Sequence, residues 1–96
     1  MDIWTMAPDG SDRRNLTSTP DWEEDHPAWS PDGMIAFCSR RHGKGEIYLM
    51  DPDGGSQTRI TENDLPDLRP HFSWDGQTIL FASDRGNPRV ADRYDV

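Results

Sequence analysis

The sequence predicts an all-β fold made of repeated four-stranded antiparallel units, on three observations. The chain repeats itself: Pro27-Ala28-Trp29-Ser30-Pro31-Asp32-Gly33 returns 43 residues on as Pro70-His71-Phe72-Ser73-Trp74-Asp75-Gly76, and Ile3 returns 44 residues on as Ile47. Asp-Gly pairs at 9–10, 32–33, 53–54 and 75–76 separate short apolar runs, as hairpin turns do. Finally, Ile35-Ala36-Phe37-Cys38 and Ile47-Tyr48-Leu49-Met50 do not alternate with polar residues, so each sheet is expected to be covered on both faces. A period of about 40–45 residues with four strands per unit is the signature of a β-propeller blade.

Taken in order, residues 3–6 read as a short strand, Pro8-Asp9-Gly10 as a turn and 13–17 as a more polar strand. Residues 18–26 read as a loop, followed by the Trp29 strand, the Pro31-Asp32-Gly33 turn and the Phe37 strand. Pro presets φ and Gly accepts a positive φ, which suits a tight hairpin turn. After the polar loop 40–45 the pattern restarts: 46–51 match 2–7, Pro52-Asp53-Gly54 matches Pro8-Asp9-Gly10, and Ile60-Thr61 matches Leu16-Thr17. The loop 62–69 is one residue shorter than its counterpart, and Thr78 restores the phase before Phe81. Trp74 stands where Pro31 does, so that turn is expected to form with less preorganisation.

At 96 residues, 32% hydrophobic and 29% charged, the chain is lean for a domain of its size and is expected to need a partner or further copies of itself. A formal charge of −8 opposes nucleic acid and anionic membranes and serves solubility. The lone Cys38 excludes an intrachain disulfide and, inside an apolar strand, reads as a small hydrophobe. No apolar run approaches the ~20 residues of a membrane helix, and Met1-Asp2-Ile3-Trp4 is not a signal peptide but reads as the middle of a strand.

The run Asp25-x-Pro27-x-Trp29-Ser30-Pro31-Asp32-Gly33-x-Ile35-Ala36-Phe37-x-Ser39-x-Arg41, then Glu46-Ile47-Tyr48-x-Met50-Asp51-x-Asp53-Gly54 and Ile60-Thr61, resembles the WD-like repeat of TolB-type β-propellers. The resemblance implies blades ordered from inner to outer strand. On that frame, 1–17 is a half blade, 18–61 a full blade and 62–86 a half blade, with 87–96 a tail or the start of a further strand. It implies a non-catalytic, bacterial, mostly periplasmic binding scaffold, and a six-bladed ring. One blade split between the termini suggests head-to-tail assembly, a trimer giving six blades and a tetramer eight. The alternative is a piece, natural or engineered, of a larger TolB-like or enzyme-associated propeller. No Ser/His/Asp or Cys/His set has spacing that recommends nucleophilic catalysis.

Candidate site residues lie in the loops entering the inner strands, which in a propeller surround the channel mouth. They are Trp22, Glu23, Glu24, Asp25 and His26 in the first copy, and Asp64, Asp67 and Arg69 in the second. His71, in the place of Ala28, is expected to face the channel or the next blade. Such a mouth suits a peptide or protein. It also suits a divalent cation at Asp25 and His26, with oxygen-rich ligation favouring calcium or magnesium; otherwise no cofactor is expected. The structural alternative is that Asp25 and Asp67 accept backbone hydrogens or pair with an arginine. Trp29, Asp32, Gly33, Arg41, Phe72, Asp75, Gly76 and Arg85 recur by repeat and read as structural. Arg41 and Arg85 are expected to tie one blade to the next, through Asp25 or Asp67.

Overall fold

The computed structural model describes residues 1–18, 22–41, 45–61 and 67–83, and the backbone of 91–92. Within these residues all regular structure is antiparallel β. Strands β1 (Trp4–Thr5) and β2 (Arg14–Asn15) form a two-stranded sheet. Strands β3 (Glu24–Trp29), β4 (Ile35–Ser39), β5 (Glu46–Met50) and β6 (Thr58–Arg59) follow in sequence order as a four-stranded sheet. Strands β7 (Asp67–Phe72), β8 (Ile79–Ser83) and β9 (Ala91–Asp92) make a three-stranded sheet.

The sequence repeat is a repeat of hydrogen bonds. The Ser30 amide donates to the Met34 carbonyl at 2.8 Å, and the Met34 amide to Ser30 Oγ at 2.8 Å. In the second copy Ser73 donates to Thr78 at 2.8 Å, and Thr78 to Ser73 Oγ at 3.0 Å. The Ser hydroxyl of each turn donates to its Asp, Ser30 to Asp32 and Ser73 to Asp75. Trp74 replaces proline without disturbing this pattern, because its side chain projects into solvent. In the outer hairpins, the Ile3 amide donates to Thr17 Oγ1 at 3.1 Å and the Ile47 amide to Thr61 Oγ1 at 2.9 Å. The sheets are also linked alike: Glu24 N donates to the Met1 carbonyl at 2.8 Å, and Asp67 N to the Gly45 carbonyl at 3.0 Å.

The core consists of the spaces between sheets. Ile3 and Leu16 of the first sheet pack with Ile35, Phe37, Tyr48 and Met50 of the second. Ile47 of the second packs with Ile79 and Phe81 of the third, with Ile60 and Phe72 at its margin. Ile3, Leu16, Ile35 and Phe37 therefore occupy the positions of Ile47, Ile60, Ile79 and Phe81, one repeat apart. Gly54, at φ +90°, lies against the Leu16 backbone, leaving no room for a side chain where the two hairpins meet.

One expectation is corrected. The segments read as loops at 18–26 and 62–69 end in strand: Glu24, Asp25 and His26 belong to β3, and Asp67 and Arg69 to β7. A bulge lies between Asp25 and Ala28 and another between Leu68 and His71, each holding a left-handed residue, His26 at φ 52° or Arg69 at φ 58°, before a proline. Proline cannot donate to a ladder and is tolerated at a bulge, so it marks the irregularity and not the strand's start. Residues 91–92 pair with Ile79 and Leu80 as a third strand of that sheet, within the segment expected to be a tail or the start of a further strand.

Candidate functional site

The β3 bulge and the start of β3 place two polar clusters, and the first is structural. Glu24 is fully buried. Its Oε1 accepts from Arg41 Nη2 at 2.8 Å and from Trp22 Nε1 at 3.0 Å. Arg41 also donates to Ser39 Oγ and Gln57 Oε1, each at 2.8 Å, and its guanidinium lies 4.3 Å over the Tyr48 ring. Arg41 thus joins β3, β5 and the β5–β6 hairpin within one sheet, through Glu24, instead of tying blades through Asp25 or Asp67. The second-copy counterpart of Glu24 is Asp67, also fully buried. Asp67 lies 43 residues after Glu24, the same offset that separates Pro27 from Pro70. Arg85 and Asp64 lie outside the described residues.

The second cluster is Asp25, His26 and Cys38, whose ligand-type atoms all lie within 4.8 Å of one another. Asp25 and Cys38 are cross-strand partners, and the bulge turns His26 back toward them. Asp25 Oδ1 and His26 Nδ1 are 3.1 Å apart, and the other carboxylate oxygen is 3.7 Å from Arg40 Nη2. Both close-set atoms are shielded from water, and neither makes a hydrogen bond of acceptable geometry. Burial first, and then the Asp25 charge, pushes the Cys38 thiol up to about 12. A thiol so held is protonated and a poor nucleophile at neutral pH. The sequence reading placed Cys38 in the core and missed its place beside Asp25 and His26. The hairpin register supplies that signal once the bulge is allowed for.

His26, Pro27, Arg69, Pro70 and His71 line a shallow cleft where β3 and β7 adjoin. The structure thus brings together three of the expected mouth residues, His26, Arg69 and His71. Glu23 is exposed and Trp22 partly so, stacked toward Arg41. The cleft offers one guanidinium and two imidazoles.

Over 65 residues the chain is 40% identical to the protein named TolB homolog of Chlorobium luteolum, covering 67% of this chain and 15% of that protein. It is 35% identical over 68 residues to an uncharacterized peptidase, YuxL, of Bacillus subtilis, covering 69% of this chain and 10% of that one. The solved structure of a TolB described as putative, from Agrobacterium tumefaciens, superposes with a TM-score of 0.79 at 34% identity over 90% of this chain and 32% of that chain. The chain therefore spans a third or less of the length of these relatives. Residues 2–93 match the TolB beta propeller domain, and the chain belongs to that family.

Proposed function

We propose that this chain is a run of consecutive blades in a non-catalytic TolB-type propeller, with neighbouring blades covering its two end faces and a peptide or protein seated at the mouth cleft. The observation that carries the reading is a difference in burial between equivalent residues. Tyr48 and Met50 in the middle sheet are 5% and 0% exposed, whereas their first-sheet counterparts Trp4 and Met6 are 59% and 63% exposed. Ala36 is fully buried, whereas Leu80, its third-sheet counterpart, is 46% exposed. The same strand chemistry is covered inside the run and bare at both ends, and bare apolar faces mark interaction surfaces. A non-catalytic role fits the carboxylates Glu24 and Glu46, which pair with Arg41 and Arg59 inside the sheet.

Further repeats of one longer polypeptide supply such neighbours without rearrangement. Copies of this chain are the second reading, in which a neighbour's inner strands would complete the two-stranded first sheet. In a head-to-tail trimer or tetramer the next copy's β1 would take the place that β9 holds beside β8, so β9 must yield. A polypeptide carrying three tandem copies of residues 1–96 tests the reading. It is expected to melt higher than the single chain and to bind less of an apolar-surface dye per copy. Equal melting and equal dye binding per copy would overturn the proposal.

A further inference from the structure

We propose that Asp25, His26 and Cys38 form a zinc-binding site, with Asp25 Oδ1, His26 Nδ1 and Cys38 Sγ as ligands and a fourth position left for water. The donor set is mixed oxygen, nitrogen and sulfur, which suits zinc and not calcium or magnesium. This departs from the oxygen-rich cation expected of the acidic loop. Tetrahedral bonds of ~2.0–2.3 Å set ligand atoms roughly 3.3–3.7 Å apart. The Asp25–His26 pair, at 3.1 Å, is already close to that spacing, and one ligand-type atom of each residue lies within 4.8 Å of those of the other two. The buried thiol donates to the Asp67 carbonyl at 3.6 Å, a weak contact that a bond to zinc would replace.

The repeat provides an internal control. The three positions are held in the third sheet by Leu68, Arg69 and Ala82. Leu68 and Ala82 pair across β7 and β8 as Asp25 and Cys38 pair across β3 and β4, and Arg69 has the same left-handed backbone as His26. The bulged hairpin therefore forms without an acid, an imidazole or a thiol. The fold itself uses Cys38 through its contact with the Asp67 carbonyl and Asp25 through its other oxygen on Arg40, but leaves Asp25 Oδ1 and His26 Nδ1 water-shielded with no hydrogen bond. Those two atoms are what an ion would satisfy.

The surroundings are compatible with a bound ion. Arg40 lies 3.7 Å from Asp25 Oδ2, the oxygen opposite the ligand atom, and so orients the carboxylate while leaving Oδ1 to the metal. His26 retains 36% of its side-chain surface, which gives the ion a way in. On binding, the Cys38 S–H bond breaks, a sulfur–zinc bond forms, and the proton leaves to solvent. With the carboxylate and the thiolate, the site then carries two negative charges against the ion's two positive ones.

The test uses the whole chain stripped with EDTA and titrated with zinc or cobalt ions alone. Calorimetry is expected to give one zinc per chain. The cobalt form is expected to show the near-ultraviolet band of thiolate-to-cobalt charge transfer. Cys38→Ala, His26→Arg and Asp25→Leu install the residues of the sister sheet. Each is expected to weaken zinc binding by about tenfold or more, with melting in EDTA held near that of the parent, and Cys38→Ala to abolish the band. Zinc affinity unchanged in both Cys38→Ala and His26→Arg, or a cobalt form without the thiolate band, would overturn the proposal. Either result would place the ion on surface carboxylates. The half-exposed His26 variant keeps the test decisive should the buried Cys38 variant fold poorly.

Discussion

Phe37→Ala is expected to lower stability by about 4 kcal/mol, read as a shift in the urea midpoint. Phe37 is fully buried between the first two sheets and stacks on Tyr48, with ring centroids 5.8 Å apart. Its removal opens a cavity bordered by Ile3, Leu16, Ile35 and Met50, which come from four different strands or turns and cannot collapse together. Small domains have roughly 5–15 kcal/mol in all, so much of the folded population is at stake. Phe81 makes the equivalent contact one repeat on, against Ile47 and Ile79, but in a sheet whose far face is open. Phe81→Ala is expected to cost measurably less. Equal losses at the two positions would show that the end sheet is as well covered as the middle one, which a bare end face does not allow.

Arg41→Ala is expected to cost about 3 kcal/mol in the same experiment. Removing one partner of a buried ion pair strands the other charge, and that penalty exceeds what the pair itself contributes. Glu24 has no exposed surface, and Arg41 retains only 18% of its own. The substitution also removes the donors to Ser39 and Gln57 and the cation over Tyr48, so the β5–β6 hairpin loosens with β3. Arg41→Met combined with Glu24→Gln is expected to cost less than Arg41→Ala alone, because no charge is then left behind. A single-variant loss below about 0.5 kcal/mol would mean that water screens the bridge as it does at a surface.

What the sequence revealed was local. The four Asp-Gly turns and the continuous apolar runs each depend on a few adjacent residues, the 44-residue phase repeats those local signals, and the strands formed there. The strand entries were harder to read. Bulges at His26 and Arg69 break the alternation that marks a strand, and each proline looks like a beginning. The Arg41–Glu24 pair was obscured by the shortened second loop, which sets Asp67 beside Asp25 by type while the hydrogen bonds set it beside Glu24. Cys38 reads as core because it is core; its nearness to His26 depends on a left-handed turn that composition does not announce. Nor could Ile79-Leu80-Phe81-Ala82 reveal a bare face, since it has the same character as the fully buried Ile35-Ala36-Phe37-Cys38. Burial of a blade face is decided by the next blade.

Each end of this run leaves bare a face that the middle sheet keeps covered. Light scattering on the chromatographed 96-residue chain reads whether those faces find partners. Mass above the 11.0 kDa of one chain is expected, in multiples that grow with concentration. A single species of one-chain mass at all concentrations, binding no apolar-surface dye, would mean that neither end face takes a partner.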